Sequence, residues 1–345
     1  MTTTQSAAAE DVGALHDLAT LALEQWRLDP IAIEPLKIRE NAVFRVDLRD
    51  GGRVVLRIHR AGYHGDDALH AEFHWMDALA ASGIEVPRVV NSKQGRPFES
   101  VSSVGVPEGR QIDVLEWVDG QQLGALESGL TGASEDIASR YRTLGGIAAR
   151  MHNHTSQWSA PAGFVRHSWC EEGLAGAQPL WGRFWELEQL SAAQRAMFER
   201  ARDAVWQDLS AFGKTREQFG LIHADLVPEN VLVDGERLRV IDFDDAGFGW
   251  HLFDIATSLY FIRNDPGFDV ALDAFVEGYR ACRPLADADL RRLPLFMAAR
   301  STTYLGWVHN RKETETAKEL TPLLIDYACS AVDEYLTGRA AMALA

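Results

Sequence analysis

The stretch LIHADLVPENVLVDGERLRVIDFDDAG, residues 221–247, constrains this chain more than any other. It sets His223, Asp225 and Asn230 between apolar runs, then closes the next run on Asp242, Phe243, Asp244 and Asp245. Polar groups at the ends of buried strands are costly unless something uses them. The runs VLV and RLRVI on either side of DGE read as a hairpin, so the stretch predicts a short β island.

Around the island the periodicity is helical. SEDIASRYRTLGGIAARMHNHT, SAAQRAMFERARDAVWQDL, HLFDIATSLYFI and LTPLLIDYACSAVDEYL all carry apolar residues at helix spacing. The chain before residue 120 is different. After a frayed leader of about ten residues, ALHDLATLALEQW predicts a helix. NAVFRVDLRDGGRVVLRIHR predicts a hairpin that turns at Asp50-Gly51-Gly52. DDALHAEFHWMDALAASG places Leu69, Phe73, Met76 and Ala80 on one helical face, with Gly83 to end it. Strands are predicted over residues 86–90 and in RQIDVLEWVDG, and Asp119-Gly120 marks a turn where the composition shifts. The expectation is an α+β chain with a small antiparallel-sheet lobe at 1–119, including a leading helix, and a larger, mainly helical lobe at 120–345. Segment 155–190, with Trp158, Trp169, Trp181 and Trp185, carries no clear pattern.

Composition excludes some partners. Thirty-four basic and fifty acidic residues leave a formal charge of -16, a field that repels nucleic acid and mildly favours a cationic substrate. Three cysteines without CxxC spacing fit reduced thiols. Neither a signal-peptide pattern nor a run of about eighteen apolar residues occurs, which predicts a soluble cytoplasmic protein without membrane contact.

The island's spacing, His-x-Asp-x4-Asn followed by a hairpin and an aspartate at the strand end, meets the needs of phosphoryl transfer. One carboxylate must orient the attacking hydroxyl, while an amide oxygen and a second carboxylate hold magnesium on the nucleotide phosphates. Asp225 and Asn230 are the candidates for catalysis, and Asn230 and Asp242 for the metal. The hairpin is expected to bring these last two to adjacent strand ends.

The island resembles the catalytic and metal-binding segments of the aminoglycoside phosphotransferase, choline kinase and homoserine kinase family, which are kinase-like small-molecule phosphotransferases. The likeness rests on HADLVPENVL, IDFDDAGFG and FDIATSL, and extends more weakly over roughly residues 35–310. It implies a bilobal protein-kinase-like fold, ATP and Mg2+ as cofactors, and a small-molecule hydroxyl substrate. It also places Val55 against adenine, Arg57 at the phosphates, Glu72 as the anchor of that basic residue, and Glu116 to Val118 at the adenine hinge. Asn41 would help cover the phosphates. Two departures stand out. Arg57 occupies a strand position where the family carries lysine, and IRENAVFRV replaces a glycine-rich loop.

Other residues have competing readings. His223 is expected to shape the loop, and Asp254 to support it from behind. Asp244 is either a second metal contact or a loop anchor. His70 and His74 have the spacing of a zinc pair but no evident third ligand, so a solvated helix face explains them. The tryptophans of 158–185, with Trp250 and Trp307, would form either core or an aromatic wall for an ammonium group. Glu171 and Glu172 would bind an amine or face water. Three alternative functions remain at this point: a protein Ser/Thr kinase, a nucleotide-binding pseudokinase motivated by the missing lysine, and a metallohydrolase. Against the first, Gly247 runs almost directly into HLFDIATSL and leaves no room for an activation segment. The oligomeric state is not legible.

Overall fold

The structure is a computed structural model that describes residues 12–38, 41–124, 129–130 and 133–344, with side chains to residue 341. The leader and Arg39-Glu40 of the IRENAVFRV turn lie outside the described residues. The chain divides into two compact units, residues 1–120 with 160–165 and 239–244, and residues 121–159 with 166–238 and 245–345.

The first unit begins with α1 (Val12–Ala22), then β1 (Pro30–Ile38), β2 (Ala42–Leu48), β3 (Arg53–Ile58), α2 (Asp66–Ala81), β4 (Phe98–Val101) and β5 (Arg110–Glu116). The five strands form an antiparallel sheet in the order β1-β2-β3-β5-β4. The predicted hairpin is β2–β3. Its turn is secured by Gly51 at φ +87° and by the Asp50 carboxylate, which accepts the Gly52 N–H at 2.9 Å. Strand alternation sends Phe44, Val46, Val54, Leu56, Ile58, Ile112 and Val114 to one face, where they bury against Leu15, Leu18, Ala22 and Trp26.

β1 and β4 were not legible in the sequence. β1 carries Pro30 and Pro35 and register shifts, which an edge strand tolerates because one side of it needs no ladder. The strand predicted over residues 86–90 is instead an isolated bridge, Val89 to Leu115, flanked by the Val90 N–H to Val114 carbonyl bond at 2.8 Å. Pro87 has no N–H to extend that ladder.

The second unit contributes β6 (Gln121–Gln122), α3 (Ser134–Gln157), β7 (Ser168–Trp169), α4 (Glu171–Ala175), α5 (Ala192–Phe212), β8 (Phe219–Ile222) and β9 (Val231–Asp234). β10 (Arg237–Val240) follows across the unit boundary. Then come β11 (Gly247–Trp250), α6 (His251–Tyr260), α7 (Phe268–Cys282), α8 (Asp287–Leu290), α9 (Leu293–His309) and α10 (Glu315–Leu344). The predicted helices are thus α3, α5, α6 and α10, and the island is β8 to β11. α5 starts on a capping box in which Ser191 and Gln194 satisfy each other's backbone N–H. α3 and α7 cross where Gly145 faces the Phe275 carbonyl and Gly278 faces the Arg142 carbonyl; a Cβ at either glycine would collide with backbone. Beyond the end of α3 at Gln157, the unpatterned segment 155–190 holds the short elements β7, α4 and a 3-10 turn at Phe184–Glu186. Among the described residues no helix is long and apolar enough to cross a membrane.

Candidate active site

In the second unit β8 delivers the chain into His223-Ala224-Asp225, and a turn at Pro228–Asn230 leads into β9. Ala224 sits at φ +64°, a left-handed conformation that costs an alanine about 1–2 kcal/mol. Its surroundings hold it there. The buried Asp254 carboxylate on α6 accepts the Ala224 N–H at 2.7 Å and the His223 N–H at 3.0 Å. His223 Nδ1 in turn accepts the Asp225 N–H at 3.2 Å, so this histidine shapes the loop. Behind Asp254, His152 Nε2 lies 3.0 Å from its Oδ2, and the other ring nitrogen of His152 lies 2.8 Å from the Tyr279 hydroxyl. Burial lowers His152 to about 3, which keeps it neutral, and burial pushes Asp254 up to about 6 against the pull of the two amides.

Asp225 is held at both carboxylate oxygens. Asn230 Nδ2 donates to Oδ2 at 2.8 Å and to the Asp225 carbonyl at 2.9 Å, while Arg300 Nη2 on α9 donates to Oδ1 at 2.5 Å. With its amide nitrogen committed to Asp225, Asn230 presents its carbonyl oxygen as the donor that a hard cation prefers.

In the first unit Arg57 on β3 pairs in register with Asp113 on β5 and donates to both of its oxygens at 3.0–3.2 Å. It also donates to Glu72 Oε1 on α2 at 2.9 Å, so the two residues proposed as a pair do meet. The planar guanidinium fork suits two carboxylates better than an ammonium does. His59 Nε2 lies 2.5 Å from Asp113, and His59 Nδ1 lies 3.7 Å from Asp244. Burial alone would lower His59, but its interactions with the Asp113 and Asp244 carboxylates raise it to about 9. Asp244 is buried, which opposes its ionisation, yet His59, His64 and Arg57 hold it well below the usual carboxylate range. His64 Nε2 also donates to the Asp244 carbonyl at 2.9 Å. Asp242, half-buried, adopts φ +67°; it and Ala224 are the non-glycine residues with positive φ among those described. Such strain clusters where function requires it.

The remaining expected nucleotide residues lie in the same unit. Val55 is half-buried on β3, two residues from Arg57 and on the same face. Asn41 is buried, and its Oδ1 accepts the Arg60 N–H at 3.3 Å. Glu116 ends β5 with its N–H on the Arg88 carbonyl at 2.8 Å, and half-buried Val118 follows. The segment is steadied at Asp119, whose carboxylate binds Arg53 at 2.7 Å and whose carbonyl accepts from Arg239 at 2.9 Å.

Several open readings are resolved by occupancy. The protein's own cations lie over tryptophan faces: Arg300 over Trp181 at 5.0 Å, Arg202 over Trp185 at 4.5 Å, Lys214 over Trp250 at 5.8 Å and Arg311 over Trp307 at 5.1 Å. Trp169 is core, stacked on Phe253. Glu171 pairs with Lys214 at 2.6 Å, and Glu172 accepts the Ala177 N–H at 3.2 Å. His70 and His74 are exposed, with ring centres 6.5 Å apart, and no cluster of three or more His, Cys, Asp or Glu suited to a metal occurs among the described residues. The three cysteines are unpaired with one another. Sequence reading missed Arg300, Asp113, His59 and His152. Arg300 left one usable trace, a lone mid-helix charge in LPLFMAARSTTYLGWVH.

This fold and these loops define a kinase-like phosphotransferase. Residues 32–287 match the APH phosphotransferase enzyme family, and the chain belongs to it. It is an enzyme that transfers a phosphoryl group to an alcohol. Among solved structures, that of a microcompartment-associated aminopropanol kinase is 32% identical with a TM-score of 0.81, covering 94% of this chain and 98% of that one. An amicoumacin kinase of Bacillus subtilis (strain 168) is 26% identical over 295 residues, 81% of this chain and 80% of its own. A homoserine kinase of Methylobacillus flagellatus is 31% identical over 247 residues, 68% and 66% respectively.

Proposed function

We propose that the protein transfers the γ-phosphoryl group of ATP, with Mg2+, to the hydroxyl of a small amine-bearing alcohol of the amino-alcohol or hydroxy-amino-acid type. The observation that carries this reading is the Asp225 carboxylate, gripped at one oxygen by Asn230 and at the other by Arg300. A carboxylate so held accepts the hydrogen bond of an attacking hydroxyl in a fixed direction, which is what a loose, positioning-limited transition state requires. The acceptor class draws support from relatives named for aminopropanol and homoserine, two short chains bearing both a hydroxyl and an amine. A formal charge of -16 favours such a cation.

Asn230 offers an amide carbonyl oxygen, and Asp242 and Asp244 offer carboxylates; such oxygens suit Mg2+ rather than a softer metal. When bound, the ion neutralises phosphate charge. Arg57, fixed by Glu72 and Asp113, supplies a permanent positive charge for the nucleotide. On this reading Val55, Asn41, Glu116 and Val118 would contact it.

The test is Mg2+-dependent ADP release from ATP with aminopropanol, homoserine, ethanolamine, choline, aminoglycosides and a generic protein as acceptors, and with Asp225→Asn as control. Stimulation by a small amino alcohol, lost in the control, is the expected result. Phosphorylation of the protein acceptor alone would replace this reading with a protein kinase. β11 passes straight into α6 at His251, which argues against that outcome.

A further inference from the structure

Arg300 lies in the middle of α9 with no solvent exposure. Its Nη1 donates to the Ala224 carbonyl at 3.1 Å, and its Nη2 donates to Asp225 Oδ1 and to the Tyr304 hydroxyl, each at 2.5 Å. The guanidinium lies against Tyr304, Trp181 and Phe253, 4.3, 5.0 and 5.6 Å from the ring centres. Its Nε is buried without a hydrogen-bond partner among the described residues. Stability does not explain such a residue. Desolvating a charge costs several kcal/mol that its ion pair rarely repays, and an apolar side chain of similar shape would hold α9 at least as well. The aromatic collar accounts for how the group is accommodated but not for what it grips.

What it grips is the loop. Ala224, in its left-handed conformation, is clasped on its N–H side by Asp254 and on its carbonyl side by Arg300. The next residue, Asp225, is 22% exposed at its side chain, and Asn230 and Arg300 take one carboxylate oxygen each. Two donors, one on each oxygen, thus fix both the position of the carboxylate and the rotation of its plane, which one donor alone would leave free.

We propose that Arg300 is a positioning residue for the phosphoryl transfer. It holds the strained Ala224 peptide and orients the Asp225 carboxylate toward the acceptor hydroxyl. The proposal rests on the reading of Asp225 as the catalytic carboxylate. It also gives the aromatic collar of Trp181 and Tyr304 a specific purpose: it houses the enzyme's own cation and not that of the substrate.

The experiment is a double-mutant cycle with Arg300→Met and Asp225→Asn, measured as kcat and as KM for ATP and for the amino alcohol, with Tyr304→Phe and Arg300→Lys alongside. Arg300→Met should lower kcat about 100-fold, the scale of a 1 Å misplacement at a reacting group, with KM for ATP within about threefold. In the Asp225→Asn background the same change should cost less than about threefold, because residues that act as a unit are not additive. Lysine lacks the fork and should restore only part of the rate. If Arg300→Met does not fold, Tyr304→Phe removes one partner of Arg300 without emptying the site, and should lower kcat several-fold at an unchanged melting temperature. A folded Arg300→Met enzyme with near wild-type kcat, losses that multiply fully, or an unaffected Tyr304→Phe would overturn the proposal. Full turnover by Asp225→Asn would instead overturn the catalytic reading, and the positioning role with it.

Discussion

At the scale of single residues, the site shows how a carboxylate and a histidine acquire roles that their types alone do not confer. Asp225→Ala should reduce kcat by about 10^3-fold, within the range of a positioned acid–base group, and leave nucleotide affinity within a few-fold. Turnover and equilibrium nucleotide binding measured on the same preparation check this, and a fully active variant would remove Asp225 from the mechanism. His152 carries a pH prediction. Burial lowers it to about 3 from an ordinary value near 6.5, so its contribution to stability is present above pH 6.5 and is lost as pH falls toward 3. Asp254, raised to about 6, works in the opposite direction between about pH 4 and 6, because the folded state there holds a proton that the unfolded state has released. His152→Asn should therefore flatten the acid side of the unfolding free energy by up to about 1.4 kcal/mol per pH unit below 6.5. Urea titrations of both proteins at pH 7, 6 and 5 measure that difference.

At the scale of elements, α1, α2, α3, α5, α6 and α10 were legible, α7 and α9 were not, and the strands were only partly so. A 3.6-residue period survives in α3, α5 and α10 because each buries one face, whereas α6 is buried along its whole length. β1 and β4 left no such trace: one is an edge strand interrupted by prolines, and the other has only four residues, too few to show a period. The α3–α7 crossing gives a direct test of packing. Ala at Gly278 places a methyl group against the Arg142 carbonyl, and backbone cannot yield as a flexible side chain does. The expected cost is about 3 kcal/mol or more, at the upper end of overpacking effects. Thermal unfolding of Gly278→Ala beside the exposed Gly338→Ala on α10 separates the clash from ordinary helix propensity; equal melting temperatures would contradict the close approach.

At the scale of the whole molecule, charge and pattern were decided before folding. A net -16 should draw a cationic amino alcohol toward the protein, and salt screens exposed charges over about 8–10 Å near physiological strength. The kcat/KM for a cationic acceptor is expected to fall several-fold between low salt and 0.5 M, while that for a neutral diol changes little. Identical salt responses would show that the field does not act on the acceptor. By itself the sequence determined the α+β class and helices α1, α2, α3, α5, α6 and α10, and it marked Asp225, Asn230 and Asp242 as candidates, because periodicity and loop spacing are local properties carried by neighbouring residues. Only the tertiary structure decided which distant residues pair with Asp225, Arg57 and Ala224. Arg300 is 75 residues from Asp225, Asp113 is 56 from Arg57, and Asp254 is 30 from Ala224. A one-dimensional pattern cannot mark such partners, since a buried charge and an exposed one are written with the same letter. What distinguishes them is the desolvation cost that only folding imposes, and that cost is what selects the ion pairs seen here.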